Sequence, residues 1–113
     1  MKITKVFFFD TCALIEIGKD NPNYKPYKTD VKMILTKLNL LELAGYLFKH
    51  ERGQEIQEMF DQLNQYCVEY DDMILIEAAK MKHDYKKERL SYVDCIGYLL
   101  AKKHKAKFLT GDG

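Results

Sequence analysis

Four carboxylates lie at positions in this sequence where they could act together. Asp10 directly follows the first apolar run, and Asp112 follows the last one. Glu42 and Asp94 each fall in the first turn of a predicted helix. In a parallel α/β sheet, the carboxyl ends of the strands and the starts of the helices that follow share one edge, and ligands bind in the crevice outside it. The sequence therefore predicts that these four residues meet in one pocket.

A pocket of four carboxylates suggests a divalent metal ion. Bare carboxylates repel one another, and at least one would have to stay protonated. Mg²⁺ or Mn²⁺ removes this conflict, because both ions prefer oxygen ligands and accept a substrate phosphate in the same shell. Such an ion lowers the pKa of a bound water and stabilises the charge that develops on a phosphodiester. The predicted chemistry is metal-dependent hydrolysis of a phosphodiester.

Each carboxylate also has a structural explanation. Asp10 can cap a helix, and Ser91 with Asp94 matches a capping box. Glu42 is favoured near a helix start by the helix dipole alone, and Asp112 lies in an ordinary Gly-Asp-Gly turn. Asp10 is the hardest to explain by packing, because it comes straight after four apolar residues. Their joint occurrence at strand ends favours one shared site.

Short strands alternate with helices along the chain. Residues 3–9 are β-branched or aromatic and almost continuously apolar, which is typical of a strand buried on both faces. Further strands are predicted over 33–38, 67–70 and 106–110, and helices over 12–17, 39–49, 56–63, 73–89 and 93–104. The predicted core face of the helix over 73–89 consists of Met73, Ile76, Ala79 (or Ala78) and Met81. This alternation favours an α/β fold around a parallel sheet.

Length and composition indicate one globular domain over residues 1–113. Hydrophobic residues make up 47% of the chain and charged residues 31%, which argues against disorder. No apolar run approaches the roughly 20 residues of a membrane helix. The three cysteines, Cys12, Cys67 and Cys95, are an odd number without a CxxC pair. They are expected to be reduced thiols in a cytoplasmic protein, with Cys67 and Cys95 in the core.

The net charge of +1 conceals an uneven distribution along the chain. Residues 80–107 contain nine Lys or Arg against three Asp or Glu, whereas residues 51–77 contain eight acids and one Arg. A basic surface suits a polyanion such as RNA, although solvated helix faces explain the same charges. The candidates for contacts with RNA phosphates are Lys86, Lys87, Arg89, Lys102 and Lys103.

Four sequence blocks resemble the PIN domain family, and most closely its small prokaryotic VapC-like toxin members. The blocks are FDTCALI over 9–15, NLLEL over 39–43, LSYVDCIGYLLAK over 90–102 and AKFLTGD over 106–112. They occur in the family's order and roughly its spacing. The first block alone is weakly specific, while the third and fourth together are strongly specific.

The resemblance implies a three-layer α/β/α fold around a central, mostly parallel sheet. It also implies a ribonuclease that depends on Mg²⁺ or Mn²⁺, in which Asp10, Glu42, Asp94 and Asp112 match the family's acidic quartet. Hydroxyl groups expected beside this site, where they would orient ligands or waters, belong to Thr11, Ser91 and Thr110.

Toxin-like members of the family further imply an RNA substrate, an antitoxin partner and a homodimer. Family members usually continue with a short helix and a final strand, so the end at Gly113 implies that the final strand is missing from this chain. The alternative function is a PIN-fold module that binds RNA or protein without turnover. Loss of an acid would mark such a module, and the presence of all four favours catalysis.

Overall fold

The computed structural model describes residues 5–27 and 31–111. The strands are β1 (Lys5–Phe9), β2 (Val31–Ile34) and β3 (Lys107–Leu109). The helices are α1 (Thr11–Gly18), α2 (Lys37–Lys49), α3 (Ile56–Leu63), α4 (Asp72–Asp84) and α5 (Tyr92–Lys103). Within these ranges, no helix has the length and apolar character needed to cross a membrane.

The three strands form one parallel sheet in the order β2-β1-β3. Side chains alternate along the central strand, so Phe8 packs towards α4 and α5 while Phe7 and Phe9 pack towards α1 and α2. Phe8 and Phe9 are almost completely buried. The apolar run of β1 therefore holds two helical layers together across the sheet, and the α/β fold expected from the sequence is confirmed.

Three helices begin with side-chain caps close to strand ends. Asp10 caps α1, Thr36 caps α2 and Ser91 caps α5. Each side chain accepts a hydrogen bond from a backbone N–H in the first turn, a group that would otherwise lack a partner. Asp10 also donates its backbone N–H to the carbonyl oxygen of Leu109 at 3.0 Å. The helix starts and the carboxyl edge of the sheet are thereby fixed relative to one another.

Three of the predicted boundaries are wrong. The second strand ends at Ile34 and not at residue 38, because Thr36 caps the helix that follows. The strand predicted over 67–70 is reduced to an isolated parallel bridge between Cys67 and Leu35. The helix predicted to reach residue 89 ends at Asp84, and a short 3₁₀ turn over 86–88 follows it.

The predicted core face of α4 is wrong at two positions and correct at Ala78, the alternative to Ala79, and at Met81. Met73 and Ile76 are 57% and 60% exposed, whereas Ile74 and Ala78 are buried. Residues 73–76 are all apolar, so the sequence does not set the rotation of this helix about its axis. Packing against α5 in the cluster around Phe8 selects the buried face. Of the predicted face, Met81 packs against this cluster, while Ala79 is exposed.

Candidate metal and nuclease site

A cavity of about 300 Å³ lies at the carboxyl edge of the sheet. Three of the predicted acids, Asp10, Glu42 and Asp94, line it. They come from the end of β1, from α2 and from α5, so the topology brings together residues 84 positions apart in the chain. Asp112 lies outside the described residues. The remaining lining residues are Phe8, Thr11, Cys12, Asn39, Ser91, Val93 and Phe108.

Asp10 and Asp94 combine a place in the cavity with a role as helix caps. Asp10 Oδ1 accepts a hydrogen bond from the backbone N–H of Ala13 at 2.8 Å. Asp94 Oδ2 accepts from the backbone N–H of Ser91 at 3.0 Å, and Ser91 Oγ accepts from the N–H of Asp94 at 2.9 Å. These bonds fix the orientation of both carboxylates. Asp10 and Asp94 therefore take part in helix caps, as the sequence suggested, and also line the same cavity.

Glu42 is oriented by a chain of polar side chains that begins in the core. The hydroxyl of Thr11 donates to Glu42 Oε1 at 2.6 Å, and Asn39 Nδ2 donates to the oxygen of that hydroxyl at 3.3 Å. Asn39 is only 1% exposed, and its Oδ1 accepts from the backbone N–H and the hydroxyl of Thr36 at 2.9 and 2.8 Å. A buried amide with satisfied partners is a rigid anchor.

Sequence reasoning did not identify Asn39 as a site residue. The available signal was the spacing of Thr36 and Asn39, which matches a capping box with Asn in place of the usual Glu or Gln. Nothing local in the sequence indicates that the same amide also reaches Thr11, which is 28 residues away.

The other predicted site residues lie at varying positions relative to the cavity. Ser91 lines it, whereas Thr110 follows β3 and its carbonyl oxygen accepts a hydrogen bond from the Tyr24 hydroxyl at 2.8 Å. The exposed cations of the turn over 86–89 (Lys86, Lys87 and Arg89) directly precede the cavity-lining segment that starts at Ser91. Lys102 and Lys103 lie at the opposite end of α5, about 12 Å along the helix axis from Asp94.

The cysteines differ in burial. Cys95 is fully buried, and this burial, with a smaller effect of the Asp94 charge, raises the pKa of its thiol. Burial also raises the pKa of the half-buried Cys67 thiol. Both therefore remain protonated at neutral pH and act as packing groups, as predicted. Cys12 is half-buried and lines the acidic cavity.

The chemistry of the cavity suits a hard divalent cation, but the described acids are not clustered tightly. Within residues 5–27 and 31–111, no group of three Asp, Glu, His or Cys side chains is close enough to hold a metal ion directly. The described hydrogen bonds of Glu42 and Asp94 engage one carboxylate oxygen each. Mg²⁺ commonly keeps several waters and binds through only one or two carboxylates. The donor set and the open cavity therefore fit such an ion.

The fold and the cavity define an α/β protein with carboxylates gathered at the ligand-binding edge of a parallel sheet. Residues 7–113 match the PIN domain family, and the chain belongs to that family. PIN domains are generally nucleases, and they generally use divalent metal ions.

A solved structure supports the same fold. The chain is similar to a toxin-antitoxin complex from Klebsiella pneumoniae, with a TM-score of 0.69 and 18% sequence identity. The alignment covers 91% of this chain and 83% of the other one. No match is found among curated protein sequences. At this level of identity the likeness concerns the fold.

Proposed function

We propose that this protein is a metal-dependent endoribonuclease and the toxin of a toxin-antitoxin pair. The observation that carries the proposal is the shared cavity of Asp10, Glu42 and Asp94 in a chain of the PIN domain family. Helix capping accounts for Asp10 and Asp94 but not for Glu42, which joins them at the edge of the parallel sheet where ligands bind.

The side chains of the cavity divide into two roles. Asp10, Glu42 and Asp94, with Asp112 from the segment after β3, would hold Mg²⁺ or Mn²⁺. The bound ion would supply a water of lowered pKa and would stabilise negative charge on the phosphodiester. Thr11 orients Glu42 through the 2.6 Å hydrogen bond. The hydrogen bonds from the N–H groups of Ala13 and Ser91 orient Asp10 and Asp94. The cations of the turn over 86–89 would bind RNA phosphates.

Removal of the metal tests the activity directly. We expect purified protein with Mn²⁺ or Mg²⁺ to cleave RNA, EDTA to abolish the cleavage, and added Mn²⁺ to restore it, because the carboxylates alone supply no activated water. Cleavage of a labelled RNA is the measurement, and the melting temperature with and without EDTA is the control for folding. Cleavage that persists in EDTA would contradict the proposal.

The same experiment addresses the alternative of a binding module. The use of Asp10 and Asp94 as helix caps is the observation that favours this alternative, because capping explains both residues without chemistry. If the protein binds RNA but cleaves it with neither Mn²⁺ nor Mg²⁺, the result would support a binding module and overturn the proposed catalysis.

Substitution of Thr11 tests whether the orientation of Glu42 matters. Thr11→Val removes the hydroxyl that donates to Glu42 and accepts from Asn39. A hydrogen bond to a charged group contributes about 1.5 kcal/mol or more, so we expect a loss of about tenfold in Mn²⁺-dependent cleavage. Thr11→Ser keeps the hydroxyl and is the matched control, with activity close to wild type. If Thr11→Val cleaves RNA as fast as Thr11→Ser and wild type, this hydrogen bond is not needed for activity.

An antitoxin partner is part of the proposal. A second groove, of about 390 Å³, lies between α1, α2 and α3 and is separate from the acidic cavity. Its walls combine apolar side chains such as Leu14, Leu43 and Met59 with Glu58 and with the ion pair of Arg52 and Glu55 at 2.6 Å. Such a groove suits the apolar face of an amphipathic segment. The neighbour of known structure is itself a toxin-antitoxin complex, and a small protein encoded beside this gene is the partner to test.

A homodimer in the cytoplasm completes the proposal. The face of α4 that carries Met73, Leu75 and Ile76 is exposed, and a second copy of the chain would cover it. Reduced cysteines are expected for a cytoplasmic protein, and in the described part of the chain Cys12, Cys67 and Cys95 form no disulfide.

A further inference from the structure

An exposed tyrosine lies beside the acidic cavity. Tyr92 is the first residue of α5, and its side chain is 59% exposed. Its two chain neighbours, Ser91 and Val93, both line the cavity, and so does Asp94. The capping box of Ser91 and Asp94 fixes this first helical turn. Tyr92 is therefore held in a defined position next to the cavity, about 3 Å from Asp94 along the helix axis.

A lysine of the preceding helix lies over the Tyr92 ring. The ammonium group of Lys82, on α4, is 5.1 Å from the ring centroid and donates a hydrogen bond to the carbonyl oxygen of Leu90 at 2.9 Å. These two contacts hold the positive charge at the ring. Lys82 takes part in none of the ion pairs found among the described residues. Its charge is therefore not neutralised by a carboxylate, and two of its three N–H donors remain available.

The other face of the Tyr92 ring is open to solvent, because the side chain is 59% exposed although Lys82 covers one face. None of the ring pairs found in the described part of the chain includes Tyr92. An open aromatic face next to a fixed cation is the combination that binds single-stranded nucleic acid, since the base stacks on the ring and the cation meets a phosphate. The bases inside a duplex are stacked on one another and offer no such face.

We propose that Tyr92 and Lys82 form a binding site for single-stranded RNA beside the acidic cavity. An unpaired base stacks on the open face of Tyr92, and Lys82 binds a phosphate of the same strand. This inference rests on the proposed function, because it takes RNA as the substrate, and it specifies that the substrate is unpaired next to the cleaved bond. Stacking of this kind is tolerant of sequence, so the site selects for single strands and not for one base.

Replacement of Tyr92 tests the stacking. We expect Tyr92→Ala to bind an unstructured, fluorescein-labelled RNA of about 10 nucleotides about tenfold more weakly, because it loses the stacking of one base. Tyr92→Phe keeps the ring and should bind like wild type. Fluorescence anisotropy in EDTA is the measurement, so that metal-dependent cleavage cannot take place. A blunt RNA duplex of the same length should bind wild type and both variants equally.

Replacement of Lys82 tests the phosphate contact. Each phosphate neutralised on a single strand contributes about 0.7 to the slope of log affinity against log salt concentration. We expect this slope to fall by about 0.7 in Lys82→Met and to stay unchanged in Lys82→Arg, which keeps a charge and a donor for Leu90. A lysine that only ties α4 to Leu90 would lower the melting temperature on substitution without changing the slope, and that result would overturn the phosphate contact.

Phe48→Ala is the matched control for loss of an exposed ring, because Phe48 is 70% exposed near the end of α2 and does not line the acidic cavity. It should bind RNA like wild type. If Tyr92→Ala binds the single strand as tightly as Phe48→Ala, the inference is overturned, and cleavage with Mn²⁺ would leave the proposed function standing. If binding depends on Tyr92 but neither Mn²⁺ nor Mg²⁺ supports cleavage, the RNA site stands and the proposed catalysis fails.

Discussion

Asp10→Asn and Asp94→Asn are each expected to reduce metal-dependent RNA cleavage by more than about 100-fold. Partners outside the ligand shell of a metal site already contribute about 10-fold to 100-fold, so loss of a direct ligand charge should cost more. The amide keeps the size of the side chain and an oxygen that can accept the capping hydrogen bond. Cleavage of labelled RNA in saturating Mn²⁺ is the measurement.

The folding of these variants should be preserved. Asn is about as good an N-cap as Asp, so the bond from the Ala13 N–H can persist in Asp10→Asn. In Asp94→Asn the amide oxygen can still accept from the N–H of Ser91, the N-cap of α5. We therefore expect melting temperatures within a few degrees of wild type. Glu77→Gln removes one charge from the exposed surface of α4 and is the control for net charge. If both aspartate variants cleave RNA as fast as Glu77→Gln, the carboxylates are caps and not ligands.

Gly97→Val is expected to destabilise the protein by about 2 to 3 kcal/mol. Gly97 is buried where α5 crosses the sheet, and a Cβ there would lie 2.8 Å from Phe8 Cε1 and 3.1 Å from Phe108 Cε1. Phe8 is 1% exposed and stacks on Phe108 at 5.7 Å, so its ring has no room to move. Overpacking of this kind costs about 1 to 3 kcal/mol for extra methylenes in a dense core.

The melting temperature should fall by about 10 °C, as measured by circular dichroism. Gly45→Val is the matched control, because Gly45 lies in the middle of α2 and no atom beyond its chain neighbours and the backbone of its own helix lies within 4 Å of its Cβ position. Valine and glycine differ by only a few tenths of a kcal/mol in helix propensity, so the control should change the stability by less than about 0.5 kcal/mol. If Gly45→Val loses as much stability as Gly97→Val, the loss at position 97 comes from helix propensity and not from contact with Phe8.

Part of the candidate site could be predicted from the sequence because its signals are local. Asp10 follows an apolar strand directly. Ser91 and Asp94 have the spacing of a capping box, which predicts a helix start from four residues. Parallel topology then implies a common edge, and the structure brings Asp10, Glu42 and Asp94 to one cavity there. Their role as metal ligands, and the placement of Asp112, stay predictions.

The contacts between distant segments could not be predicted. The hydrogen bonds from Asn39 to Thr11 and from Tyr24 to Thr110 join segments 28 and 86 residues apart, and no periodicity encodes such pairs. The wrong face of α4 has a related cause, because its consecutive apolar residues fit more than one rotation of the helix.

The sequence by itself determined most of the order of strands and helices, the burial of β1 on both faces and the helix starts capped by Asp10 and Ser91. These properties depend on hydrophobic pattern and on bonds within one turn, which act over a few residues. Only the tertiary structure decided which face of α4 is buried, how Asn39 and Thr11 orient Glu42, and that Tyr24 holds the end of β3. Those depend on how whole elements pack, since a side chain selects its partner only after the two segments have met.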